Sequence, residues 1–228
     1  MKKIILSVVA FAMALNISAQ VEFSAGADLV SSYVWRGGYG SGASFQPSLG
    51  FSAGAFSLGA WGSTDIYGGG YKEVDFTAGL NFGGFVVAVT DYWWSGEGAF
   101  KYLDYGKTTE HLFEATVGYT FSEKFPLTLK ANTMFAGADK KSDDADKQNF
   151  STYLEASYGF NVKDIALEAG LGFTPAEGLY ASEAAVTSIS LKATKEIKIS
   201  DSFSLPVFSQ LILNPHTEGI FLVFGLSL

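Results

Sequence analysis

Between Gly219 and Leu228 the side chains alternate without a break. Ile220, Leu222, Phe224, Leu226 and Leu228 share one parity, and Gly219, Phe221, Val223, Gly225 and Ser227 share the other. A period of two means an extended strand with one apolar face and one mostly small face. Chain ends in water commonly fray. A strand that closes a lipid-embedded barrel stays regular to its end, because lipid offers no partner for an unpaired backbone group. The segment suits the core strand of a β-sandwich or the closing strand of a spanning barrel, and the rest of the chain must decide between them.

The same alternation predicts twelve strands, at roughly 21–35, 44–53, 56–63, 73–82, 85–94, 109–121, 126–136, 149–160, 164–173, 185–197, 203–213 and 218–228. In the fourth, Val74, Phe76, Ala78, Leu80 and Phe82 oppose Glu73, Asp75, Thr77, Gly79 and Asn81. The connections alternate in length. Gly54-Ala55, Gly83-Gly84, Ser122 to Phe125, Asn161 to Lys163 and Lys198 to Ser202 are tight, and the loops between them are longer. An up-and-down antiparallel transmembrane β-barrel sorts its short turns and long loops to opposite ends in this way; a Greek-key sandwich does not. In such a barrel the apolar parity faces lipid and the polar parity faces the lumen. The strand 85–94 is apolar on both parities, so its facing stays open. Pro206 lacks a ladder donor and predicts a bulge or a late start to the eleventh strand.

Aromatic placement agrees with this expectation. Trp35, Trp61, Trp93 and Trp94 fall where a strand meets a long loop, while Phe56, Phe82, Phe85, Tyr119, Phe121, Phe125, Tyr158, Phe160 and Phe203 flank the short turns. Two aromatic girdles at the two interfaces are expected of a membrane barrel.

Residues 1–19 read as a secretory signal peptide, with Lys2 and Lys3 ahead of a short apolar core and small residues up to Ala19, leaving 20–228 as the barrel domain. Removing that leader takes the formal charge from −8 to −10, which argues against nucleic acid as a partner. Without cysteine there are no disulfides and no thiolate metal sites. The expected partners are outer-membrane lipid and small solutes or ions, with no cofactor.

The polar parity defines the expected pore lining. Asp28 and Arg36 come from the first strand, Glu73 and Asp75 from the fourth, Glu110 and Glu114 from the sixth. Lys130, Glu155, Glu168, Lys192 and Glu196 follow from later strands. Eight carboxylates against three cations favour cations through the field of the passage. The alternative is a closed interior in which Arg36, Lys130 and Lys192 pair with acids. A barrel of about twelve strands lies between packed and open sizes, so both remain open.

Leu29-Val30-Ser31-Ser32-Tyr33-Val34-Trp35-Arg36-Gly37, with Gln46-Pro47-Ser48-Leu49, Gly59-Ala60-Trp61-Gly62-Ser63 and Glu73-Val74-Asp75, resembles the TorF-type porin family of Gram-negative bacteria. Ser32 stands where that family has Asp, and the segment around Gln46 is rearranged. The Asp91-Tyr92-Trp93-Trp94 ending is similar to a Bacteroides-type branch. The resemblance implies an outer-membrane porin for passive diffusion. The competing classes are a closed structural or ligand-binding barrel that uses its long loops, and a membrane-embedded hydrolase. Enzyme chemistry has little support in the sequence. His111 shares parity with Phe113 and Ala115, which aims it at lipid near the outer rim, His216 lies in a short loop, and no Ser setting accompanies either. The two histidines are too far apart for a metal pair. The Asp- and Lys-rich loop 139–147 lacks the Gly and closing Glu of a calcium loop, and Gly37-Gly38-Tyr39-Gly40 has no helix behind it to cradle a phosphate.

Overall fold

The computed structural model describes residues 20–68, 70–95, 102–106 and 109–228, so the leader expected at 1–19 lies outside the described residues. Among the described residues fourteen strands follow one another: β1 (Val21–Val30), β2 (Tyr33–Trp35), β3 (Gly38–Ser41), β4 (Ser44–Ala53), β5 (Phe56–Asp65), β6 (Lys72–Phe82), β7 (Phe85–Ser95), β8 (Leu112–Ser122), β9 (Phe125–Gly137), β10 (Thr152–Val162), β11 (Ile165–Thr174), β12 (Ala185–Lys198), β13 (Ser204–Asn214) and β14 (Gly219–Ser227). Twelve of them form a closed antiparallel barrel in chain order, and β2 and β3 pair only with each other. The first and last barrel strands meet through Asp28 to Val30 against Gly225 to Ser227, and Leu228 exchanges backbone bonds with Ala27.

Tight turns form where the sequence permits positive φ. Phe82 pairs with Phe85 across Gly83 and Gly84, at φ 56° and 88°. Two consecutive positive values match the right-handed twist of the flanking strands. A Cβ on Gly84 would also come 2.5 Å from the Thr120 carbonyl oxygen. Pro206 causes no register shift: it sits opposite Glu196, and pairing of β13 with β14 begins only at Val207. Its missing N–H therefore falls beyond the β14 ladder.

The barrel is polar inside and apolar outside. Leu49, Leu58, Phe76, Val89, Val117, Leu171, Leu191, Leu222 and Phe224 are exposed on the outer surface, whereas Gln46, Ser63, Glu73, Thr90, Glu114, Asn132 and Asn214 are buried. A water-soluble barrel has the opposite arrangement. The facing of β7 is now fixed: Phe85, Val87 and Val89 point out, and Val86, Ala88, Thr90 and Tyr92 line an internal cavity. At the short-turn end, Phe82, Phe85, Tyr119, Phe121, Phe125, Tyr158 and Phe160 form a continuous chain of ring contacts around part of the rim.

The tryptophans do not form the matching girdle. Trp61 is the cross-strand partner of the buried Asp75 and packs on Tyr33. Trp35 and Trp94 meet inside the barrel, and Trp93 is covered beside Tyr102. Their rings are claimed by packing among the long loops and the inserted hairpin described next.

Candidate functional site

The first strand stops at Val30, not at Trp35. After it the chain turns inward as the hairpin β2–β3, whose two-residue turn is Arg36-Gly37 at φ 51° and 81°. This is the geometry of a tight hairpin with both central residues left-handed. Arg36 tolerates it at some cost because of what its side chain reaches. Its guanidinium forms a two-pronged pair with Glu114 of β8, Nη1 to Oε2 at 2.5 Å and Nη2 to Oε1 at 2.9 Å. It also donates to the Tyr180 hydroxyl and lies 4.5, 4.7 and 5.2 Å from the ring centres of Trp35, Tyr153 and Tyr180. The pair is buried, with side-chain exposures of 9% for Arg36 and 1% for Glu114.

Two further hydroxyls complete the acceptor capacity of Glu114. Tyr92 donates to Oε1 at 2.9 Å and Tyr180 to Oε2 at 3.3 Å. Burial raises the Tyr180 phenol above its ordinary value despite the Arg36 charge beside it, so this loop residue remains a neutral donor. The turn itself is also fixed to β12 and β13. Asn214 donates Nδ2 to the Gly37 carbonyl at 3.0 Å. A Cβ on Gly37 would lie 1.8 Å from the Thr187 carbonyl oxygen, so only glycine fits. The hairpin thus reaches from the β1–β4 side to β8, β12 and β13, across the lumen.

Trp35, Arg36 and Gly37 line two cavities, one on each side of the hairpin. The cavity toward the short turns is about 460 Å³, with Thr90, Lys130, Glu155, Glu168 and Gln210 in its wall. The outer one is about 530 Å³ and is walled by Tyr33, Tyr71, Glu73, Trp94 and Tyr180. The hairpin turn is the partition between them.

The residues expected to line a pore fall into distinct places. Glu73 and Asp75 are buried on the inward face of β6, and Glu114 is buried on β8. Lys130 and Glu155 face each other from β9 and β10 at 3.4 Å. Glu168 and Lys192 are cross-strand partners on β11 and β12, with the Lys192 ammonium 4.2 Å from the Phe208 ring centre. Asp28 sits opposite the buried Gln46. Glu196 is exposed near the short turns, opposite Pro206. Two residues stand elsewhere than expected. Arg36 belongs to the hairpin turn rather than to β1, because the β1–β14 ladder ends at Val30. Glu110 precedes β8 and is exposed, in an outer cavity with Asp139, Lys140 and Glu177.

His111 also departs from expectation. It lies on the outer side of the wall but is fully buried, because residues 102–105 fold over it. Nδ1 is 2.6 Å from Asp91 Oδ1, and Nε2 is 2.6 Å from the Tyr102 carbonyl oxygen. Tyr102 and Tyr105 donate their hydroxyls to Asp91 Oδ2. With Nε2 engaged by a backbone carbonyl, this His–Asp pair does not present the nitrogen that a serine nucleophile would use.

No protein-family model matches the chain, and no curated protein sequence matches it. Among solved structures it is similar to the crystal structure of BamA from Haemophilus ducreyi lacking POTRA domains 1–3, at 10% identity and a TM-score of 0.40. The match covers 85% of this chain and 41% of that one, so this chain spans less than half of that structure.

Proposed function

We propose that this chain is an outer-membrane β-barrel that acts as a small, weakly cation-preferring channel for passive diffusion, with the hairpin β2–β3 narrowing its lumen. The observation that carries the membrane reading is the inverted polarity of the wall: an exposed apolar belt surrounds an interior of Gln, Ser, Thr, Asn and carboxylates. Water between the two cavities would have to pass only the tip of a two-residue turn, which supports a channel over a solid core. The segments that resemble TorF-type porins support the same reading by where they meet. Tyr33 packs on Trp61 and Tyr71, Arg36 carries the partition, and Glu73 and Asp75 lie on the wall beside it.

Cation preference follows from charge. Glu73, Asp75 and Glu114 are buried in the interior, and Arg36 neutralises only Glu114. In a narrow passage with low-dielectric walls, fixed charges are screened less than on an open surface. The test is reversal potential across a salt gradient in a planar bilayer. The expected result is a modest cation preference that grows as salt falls and shrinks when Glu73, Asp75, Glu110 and Glu114 are made neutral together. Anion preference would overturn the charge argument.

A second reading has one specific observation in its favour. The hairpin is tied to β8 by a buried ion pair and to β13 by the Asn214 bond, which suits a closed, ligand-binding barrel. Absence of any conductance from folded protein would favour that reading.

A further inference from the structure

We infer that the outer cavity is a binding site for a small organic cation of the alkylammonium or quaternary-ammonium class. The inference deepens the channel reading and rests on it for the route by which such a solute arrives.

The cavity of about 530 Å³ has rings on most sides, contributed by Tyr33, Trp35, Tyr71, Trp94 and Tyr180, and Glu73 is its acid. Glu73 is only 3% exposed, and Asp75 follows two residues on along the same inward face at 8%. Asp75 Oδ1 is buried with no hydrogen-bond partner among the described residues. Tyr71 donates its hydroxyl to Glu73 Oε2 at 2.7 Å. Burial first, and the Glu73 charge second, raise the phenol of this loop residue above its ordinary value, so Tyr71 is a neutral donor that supplies no counter-charge. Among the described residues neither carboxylate has an ion-pair partner. Arg36 also reaches this cavity, but its charge is already taken by Glu114.

A buried carboxyl without a counter-charge either holds its proton or is costly to ionise, and a cation seated beside it favours the ionised form. A bare metal ion is the wrong partner, since ring faces offer no oxygen ligands and the described residues contain no cluster of three or more His, Asp or Glu that could hold one. An organic cation is attracted both by the acids and by the negative faces of the rings. A neutral sugar would use the rings but gain nothing from the acids, and an anion would be repelled. The same lumen already holds a cation in this manner: the Arg36 guanidinium sits between Glu114 and the rings of Trp35, Tyr153 and Tyr180. The outer cavity repeats that combination with its centre open.

The probe is choline chloride, titrated into the purified folded barrel in detergent micelles and followed by tryptophan emission, since Trp35 and Trp94 stand in the wall. Its neutral counterpart of similar shape, 3,3-dimethyl-1-butanol, serves as the control. The expected result is a saturable change with choline and none with the alcohol. Glu73→Gln with Asp75→Asn should weaken choline at least about 10-fold, while Asp143→Asn in the outer loop leaves it unchanged. Slower migration after boiling verifies that the double variant is folded. If it is not, Trp94→Leu removes a ring without changing charge and is expected to cost a several-fold loss. Equal response to choline and the alcohol, or full affinity in the folded double variant, overturns the site. Saturable choline binding without conductance keeps the site and removes the channel; conductance without saturable binding does the reverse.

Discussion

Glu114→Gln is the sharpest perturbation of the partition. The substitution keeps the shape of the side chain and an acceptor for the Tyr92 hydroxyl, but it leaves Arg36 as a buried cation with no counter-charge. Breaking one side of a buried ion pair costs about 3–5 kcal/mol. At roughly 1.36 kcal/mol per power of ten, that is a shift of about two to nearly four powers of ten in the balance between inserted and withdrawn hairpin. Withdrawal frees the guanidinium to water. What then holds the hairpin is the Asn214 bond to Gly37, the ring contacts of Trp35 and Tyr33, and the packing of Val34 on the cluster of Val30, Phe208, Ile212 and Val223, and a typical hydrogen bond contributes only about 1 kcal/mol.

The assay is single-channel recording in planar bilayers. A mostly narrow wild type is expected to give way, in E114Q, to a long-lived wider conductance. Arg36→Met combined with E114Q removes both charges, and loss of a whole buried pair is often close to neutral. The double variant should therefore return toward wild type, with a coupling of at least about 2 kcal/mol in the cycle. Unchanged conductance in E114Q, or a double variant as open as E114Q, would refute the idea that this pair holds the partition.

Gly37→Val tests the same element sterically: its Cβ would meet the Thr187 carbonyl oxygen at 1.8 Å, so the wider conductance is expected with all charges intact. Leu222→Arg places a charge on the exposed apolar belt, where Leu222 is 56% exposed; urea titration of folding into vesicles should show a loss of about 2–4 kcal/mol if that belt faces mid-bilayer. Ser190→Arg, on the inward face of β12, should cost less in the same titration. Tags inserted within 140–147 should be labelled on intact cells and tags at 163–164 should not, because the first lies in a long loop and the second in the tight turn between β10 and β11; the reverse pattern would invert the orientation.

Much of the wall is legible in the sequence, because strand periodicity and glycine turns are local. The twelve expected strands match the barrel strands to within a few residues, and Glu73, Asp75 and Glu114 fall on the inward face as their parity required. The hairpin was not legible. Leu29 to Trp35 continues the alternation of β1, so the local pattern extends that strand, and only the ladder with β14 ends it at Val30. The signal that was available is Trp35-Arg36-Gly37-Gly38 between Tyr33 and Tyr39, a turn permitted by glycine between β-prone residues. It was hidden because Arg36 is a poor residue for a positive φ. The tryptophans misled for a related reason. Their positions near long loops fit a headgroup girdle equally well, and it is the inserted hairpin that brings Tyr33 against Trp61 and Trp35 against Trp94. His111 was placed on the correct side of the wall, but its cover comes from the loop at 102–105, whose path carries no periodicity.

The arrangement of forces separates the wall from the partition. Twelve strands enclose more space than their own side chains fill, and the chain supplies a hairpin to occupy part of it. The wall is held by backbone ladders that close on themselves, so no single side chain governs it. The hairpin pairs only with itself, but Val34 packs against the cluster of Val30, Phe208, Ile212 and Val223 and Tyr33 rests on Trp61 and Tyr71, while the tip is fixed to β8 through Arg36–Glu114 and to β12 and β13 through Gly37. Charge and sterics at the tip therefore act on its position, while the closed ladders set the barrel. Substitutions at the tip are accordingly expected to change conductance and leave heat-modifiable migration intact, whereas substitutions on the apolar belt should act on folding first.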